Sequence, residues 1–218
     1  DGLQVALPLS NALMSGRRAA AQNRRSSPGH AMEKVWLKHY PAGVPAVVKT
    51  DVYPSLNALF EESFKKHRDL PAYKFMGKTI GFGQIDDLSR AFAAYLQGLG
   101  LTRGDRVAIM MPNCLQIPVC IFGTLRAGYA VCNVNPLYTP RELAHQLKDS
   151  GAEVLVCVEN FGNTVAEVVG RTQVRQTVVT SIGELLGFKG IIVDYVIRHR
   201  KKLVPKFRSS IRNTSATV

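Results

Sequence analysis

Acidic residues are scarce, and where they are missing matters more than how many there are. Of the 16 Asp and Glu residues in this 218-residue chain, one stands in residues 1–31 and none follows Asp194, although 28 Lys and Arg are present. The formal charge of +12 is therefore uneven: four Arg face one acid in 1–31, 17 bases face 15 acids in 32–194, and seven bases face no acid in 195–218. A nearly neutral body with two basic ends argues against a nucleic-acid-binding surface over the whole chain and calls for a separate account of each end. Long apolar runs are missing too. The most apolar stretch, Cys114 to Leu125, is broken by Gln116, Pro118 and Gly123, short of the roughly 18 residues that a membrane span needs. Cysteine is scarce as well. Cys114, Cys120, Cys132 and Cys157 stand singly in apolar runs, without C-x-x-C spacing or a nearby histidine, which is the pattern of reduced core thiols in a cytoplasmic protein.

What is present is a folding pattern. Residues 1–31 are Arg-rich and acid-poor, as an organellar targeting peptide would be. They also suit an extension upstream of a start at Met32, the preferred reading because Met32-Glu33-Lys34 has the form of a native beginning; either way they stand outside the fold. Met32 to Pro54, rich in Pro and aromatics, predicts an extended lead-in lying over a surface. Ser55 caps a predicted helix to about Arg68, with Leu56, Leu59, Phe60 and Phe64 on one face. Ala72–Phe75 and Thr79–Phe82 predict a hairpin around Gly77-Lys78. An amphipathic helix follows from about Gln84 to Leu99, burying Ile85, Leu88, Phe92, Tyr95, Leu96 and Leu99 with Asp86, Asp87 and Arg90 in water. Four β-rich runs, 106–111, 129–134, 153–158 and 174–180, then alternate with helical segments near 114–127, 139–150 and 161–169. That alternation predicts an α/β fold, a parallel doubly wound sheet with flanking helices. Thr139-Pro140-Arg141-Glu142 has the form of a capping box, and Ser150-Gly151 that of a helix stop.

No catalytic group stands out. Gly81-Phe82-Gly83 opens like a dinucleotide fingerprint but lacks the third glycine and is read as a turn. Gly183 to Gly190, with Lys189, lacks the spacing of a phosphate loop. Asp86-Asp87 is read as a solvated pair and His145 as a surface or interface histidine. Asn135-Pro136 ends a strand expected to be buried, on the side where parallel sheets present ligand-binding loops, though a structural turn is the preferred reading. Gly190 to Leu203 predicts a helix with Ile192, Tyr195, Val196 and Leu203 on its apolar side and Arg198 to Lys202 and Lys206 beyond, suited either to an anionic membrane surface or to a solvated helix end.

The stretches FGQIDDLSRAFAAYLQ at 82–97, GDRVAIMMPN at 104–113, FGTLRAGYAVCNVNPLYTPRELAHQLKDSGA at 122–152 and LLGFKG at 185–190 resemble the N-terminal part of the AMP-forming acyl-CoA synthetases, most closely their bacterial long-chain fatty acid–CoA ligase branch. The lead-in at Trp36–Pro41 and the stretch Lys201–Pro205 point to that branch. The resemblance implies three segments: an extension at 1–31, part of the AMP-binding synthetase domain at 32–207, and a divergent tail at 208–218. It implies ATP, Mg²⁺ and CoA as cofactors of the full-length family and a long-chain fatty acid as substrate, joined through an acyl-adenylate. It further implies that the phosphate loop, the acid for Mg²⁺, the ribose aspartate and the mobile-domain lysine lie downstream of these residues, so no catalytic, cofactor-binding or metal-binding position is assigned. The departure of 208–218 from the family pattern predicts a truncated, frameshifted or partial copy without ligase activity of its own. Peripheral membrane contact through 190–207 and a cytoplasmic location are expected, nucleic acid being disfavoured as a partner. The other class of function is a non-catalytic α/β module that binds a membrane surface or nucleic acid through its basic tail.

Overall fold

The computed structural model describes residues 33–204, so the segments expected at 1–31 and 208–218 lie outside the described residues. The chain divides into two compact units, Asp1–Thr50 and Asp51–Val218. In the first, the expected lead-in is not wholly extended: Val35–His39 forms a short 3₁₀ turn, with Lys38 paired to Glu33 at 3.1 Å. Tyr40, the residue before Pro41, ends the turn in an extended conformation, because a proline ring disfavours helical backbone in its predecessor.

In the second unit, α1 (Leu56–Lys66) starts where expected, the Ser55 hydroxyl accepting the Ala58 N–H at 3.2 Å. Phe64 is buried, whereas Leu56 is exposed, one turn too early to reach the core. Strands β1 (Pro71–Phe75) and β2 (Lys78–Gly81) form the antiparallel hairpin through Met76 and Gly77, both with positive φ, as a two-residue turn between right-twisted strands requires. Helix α2 (Phe82–Gln97) follows at once. Gly81-Phe82-Gly83 is therefore a strand end and the first turn of a helix, not the free turn expected from its glycines, and the Gln84 side chain accepts the Gly81 N–H to close that start.

The main sheet contains β3 (Arg106–Met110), β4 (Ala130–Asn133), β5 (Val154–Val158) and β6 (Gln176–Thr180), all parallel, in the order β4-β3-β5-β6. The crossovers carry α3 (Gln116–Arg126), α4 (Pro140–Ser150) and α5 (Gly162–Val168). Since side chains alternate along a strand, Val107, Ile109, Val154, Val156 and Val158 join the core under α1, α2 and α3, whereas Ala108, Met110, Leu155 and Cys157 join that under α4 and α5. Helices thus cover both faces, as the near-continuous apolar runs of β3 and β5 predict. β4 departs from that expectation. It lies at an edge of the described sheet and its residues are half-buried or exposed.

Two details set the spacing of the layers. α2 and α3 approach so closely at Gly123 that a side chain there would stand 2.9 Å from the Ser89 carbonyl oxygen and 2.8 Å from the Phe92 ring, which only glycine avoids. Phe122 beside it packs edge-on against Phe60 and Phe64 of α1, with ring centroids 4.4 Å and 5.1 Å apart. After β6 a 3₁₀ turn at Glu184–Leu186 leads to α6 (Phe188–Tyr195), which runs on into a π-helical turn at Val196–Arg200.

Candidate functional site

The topology itself marks one place for a ligand. From β3 the chain turns to α3 on one face of the sheet, and from the adjacent β5 it turns to α5 on the other, so the segments leaving their carboxyl ends diverge and leave a crevice. In open α/β sheets such a switch point is the usual ligand site. It lies between β3 and β5, one strand over from Asn135-Pro136, which follows the edge strand β4. Asn135 instead folds on itself: its side-chain oxygen accepts the Leu137 N–H at 3.0 Å and its carbonyl the Tyr138 N–H at 3.1 Å. That is the structural turn preferred from sequence.

Around the carboxyl ends of β3, β5 and β6 the side chains are ordered by one another. Gln116, buried at the start of α3, donates its amide to the Ser181 carbonyl at 2.7 Å, tying the loop after β3 to the loop after β6. Its own carbonyl oxygen is buried without a partner, as is the side-chain oxygen of Asn160 in the turn that follows β5. Two buried acceptors on these segments fit a polar ligand or water better than an apolar one. Thr180 donates to Glu184. Asp194 of α6 accepts the Ser181 hydroxyl at 2.5 Å and the Gly183 N–H at 2.9 Å. Arg198 grips Glu159 through two parallel hydrogen bonds of 2.9 Å, which push its guanidinium pKa up. The loop after β6 is therefore latched to α6, and Gly183 and Gly190 meet so closely that neither position has room for a side chain.

Beside this edge lies an apolar cavity of about 30 Å³ between Phe92, Val119, Cys120, Val178 and Leu185, with Gln116 and Glu184 at its rim. A site for a drug-sized ligand needs roughly 300 Å³ or more, so the cavity has room for about one water and not for an acyl chain. Burial pushes up the pKa of the Cys120 thiol beside it, and those of Cys114 and of Cys157, the last to about 12. These are inert core thiols.

The remaining sequence candidates are scattered. The Gly183–Gly190 segment lacks the spacing of a phosphate loop, and three of its N–H groups are taken up within the fold: Gly183 with Asp194, Leu186 with Gly183 and Gly190 with Gly187. His145 is exposed on α4 in an open depression beside Thr139, Arg141 and Glu142, where the Glu142 carboxylate is taken up by its own helix cap. Asp87 is exposed, but Asp86 is a correction. It is buried, 7% exposed, and bound by Arg126 and Arg90, with Arg68 at 3.3 Å. Arg126, Asp194 and the Glu159–Arg198 fork were not singled out from sequence. Asp194 alone had a readable signal there, being the one acid after Glu184 in a strongly basic stretch. Among the described residues no group of three or more His, Cys, Asp or Glu is arranged to hold a metal ion, so no residue is assigned to Mg²⁺.

Comparison with known proteins agrees with this fold. A family model described as AMP-binding enzyme matches residues 60–192. A long-chain-fatty-acid–CoA ligase of Yersinia pestis is 55% identical over 178 residues, covering 81% of this chain and 32% of its own length. Its counterpart from Escherichia coli O157:H7 is 52% identical over 192 residues, covering 84% and 34%. Among solved structures, a long-chain-fatty-acid–CoA ligase from Archaeoglobus fulgidus superposes with a TM-score of 0.56 at 24% identity, over 67% of this chain and 32% of that one; at such identity it supports the fold alone. The chain spans about a third of the length of the curated relatives it matches.

Proposed function

Since the chain belongs to the AMP-binding enzyme family, we propose that it forms the N-terminal part of a long-chain fatty acid–CoA ligase, an enzyme that joins fatty acid to ATP as an acyl-adenylate and then to CoA as a thioester. The observation that carries the reading is the 55% identity over 178 residues to a ligase of that name. The geometry agrees in kind. A doubly wound sheet with a switch-point crevice, buried unpartnered acceptors at its carboxyl edge and only a water-sized cavity beside that edge suits a scaffold on which a larger active site is completed. ATP and CoA are the ligase's co-substrates and Mg²⁺ its metal cofactor in this reading, and no step is assigned to a described residue. The basic stretch after α6 is read as a peripheral contact with a membrane surface on the cytoplasmic side; no described helix is long and apolar enough to cross a membrane.

A segment exchange tests the reading. Replacing the matching segment of the Escherichia coli relative with residues 51–204 of this chain should leave ATP-dependent synthesis of palmitoyl-CoA within about tenfold of the parent, since a shift of 1.4 kcal/mol or less in the barrier is what a well-fitted scaffold permits. A soluble, folded chimera that binds ATP but forms no palmitoyl-CoA would overturn it.

A further inference from the structure

From Phe188 to Arg200 the chain is one continuous helix, α6 running into its π turn, and its two long sides differ in chemistry. The inward side is committed to the fold: Gly190 meets Gly183, Asp194 holds Ser181 and Gly183, and Arg198 forks onto Glu159. The outward side shows Phe188, Ile191, Ile192 and Tyr195, at i, i+3, i+4 and i+7, with 78%, 68%, 54% and 59% of their surfaces exposed. Such spacing makes one apolar stripe. It differs from the apolar side expected from sequence, because the helix starts at Phe188, which adds Phe188 and Ile191, and because Val196 is half-buried.

Charge flanks the stripe with one sign. Asp194 is the one acid between residues 185 and 204, and its carboxylate is turned inward and occupied, while Arg198 is neutralised by Glu159. That leaves Lys189, Arg200, Lys201 and Lys202, all exposed and without an ion pair among the described residues, with His199 packed against the Tyr195 ring at 4.9 Å. An exposed apolar stripe with aromatic members, edged by bases and lacking a free acid, is complementary to an anionic lipid surface. The helix is about 20 Å long, against a hydrocarbon core of about 30 Å, so it can lie on a bilayer but not cross it.

We propose that the outward side of α6 docks on anionic lipid, with Phe188, Ile191, Ile192 and Tyr195 entering the headgroup–acyl boundary and Lys189, Arg200, Lys201 and Lys202 meeting lipid phosphates. The proposal deepens the membrane-contact part of the ligase reading and rests on it. Vesicle binding and the palmitoyl-CoA assay are separate measurements, so either can fail while the other holds.

The experiment is cosedimentation of the full 218-residue chain with vesicles of phosphatidylcholine alone and of phosphatidylcholine mixed equally with phosphatidylglycerol. Binding should require phosphatidylglycerol and weaken as salt is raised. Phe188→Ser with Ile191→Ser should weaken it by roughly tenfold or more, from lost apolar burial. Arg200→Glu, Lys201→Glu and Lys202→Glu together should remove the preference for phosphatidylglycerol with the apolar stripe intact. All five side chains are exposed, so circular dichroism of both variants should match the parent. Absence of binding, equal binding to the neutral vesicles, or full binding by the Phe188→Ser, Ile191→Ser variant would overturn the proposal. So would a wild-type dimer that this variant converts to monomer, which would assign the stripe to a second copy of the chain.

Discussion

Arg126 shows how much of the packing rests on one side chain. At the end of α3 its guanidinium donates to the Asp86 carbonyl at 2.8 Å, the Ser89 hydroxyl at 2.6 Å and Glu61 at 2.8 Å, pairs with the Asp86 carboxylate, and lies 5.0 Å from the centre of the Phe64 ring. One cation thus ties α3 to both α1 and α2. The pair with Asp86 is nearly dry, the two side chains being 9% and 11% exposed, and a buried pair that loses one partner costs about 3–5 kcal/mol because the other charge stays buried. Arg68 and Arg90 still reach Asp86 and place the effect at the low end. Arg126→Ala should therefore lower unfolding stability by about 3 kcal/mol in urea titration; a loss below about 1 kcal/mol would mean that the cluster behaves as an exposed network. The helical period alone put Asp86 in water, because a wheel drawn on α2 cannot see the end of α3 arriving from 40 residues away. Ile85, Phe92 and Leu96 were placed correctly by the same wheel, since an apolar stripe seeks any core, while a carboxylate becomes buried only where a particular cation meets it.

At the scale of the element, local chemistry was the more reliable guide. The capping box of α4 is present as written: the Thr139 N–H and hydroxyl both donate to the Glu142 carboxylate at 2.8 Å, and the Thr139 hydroxyl accepts the Glu142 N–H at 3.4 Å. Gly151 closes the helix at φ +60°, against the Arg106 guanidinium. The Thr139 N–H, and then its hydroxyl, hold the Glu142 carboxyl below the usual carboxylate range. A group whose folded pKa is depressed contributes stability above its unfolded pKa, and that contribution is lost as pH falls through the folded value. The stability difference between the wild type and Glu142→Ala should then be full at pH near 7 and shrink below about pH 4, the unfolded glutamate range. Thermal unfolding of both proteins along a pH series measures it, and a difference that stays constant into acid would remove the ionised carboxylate from the account. α6 was legible only in part for the same kind of reason. Its basic, amphipathic character was plain, but its register was set by Asp194, Gly190 and Arg198 finding partners on loops of other strands.

For the whole molecule the question is what 218 residues of such a fold can do unaided. The glycine-rich candidate among the described residues, Gly183–Gly190, lacks phosphate-loop spacing, and its Gly183, Leu186 and Gly190 N–H groups are engaged by Asp194 and its own turns. The purified polypeptide should accordingly show no ATP–pyrophosphate exchange with palmitate; exchange that follows fatty acid concentration would mean that the chain builds an adenylation site from residues given no such role here. What the sequence alone determined were features carried by neighbours along the chain: the alternation of strands and helices, the caps at Ser55 and Thr139, the parallel doubly wound class and the family. What only the tertiary structure decided were features that need distant segments to meet. The strand order β4-β3-β5-β6 left β4 at an edge and moved the ligand crevice away from Asn135-Pro136. The burial of Asp86, the latch on Asp194 and the outward face of α6 arose likewise from contacts between distant segments. The division has a physical cause: periodicity and capping are short-range and need no knowledge of partners, whereas the burial of a charge or the exposure of an apolar face depends on what arrives from elsewhere in the chain.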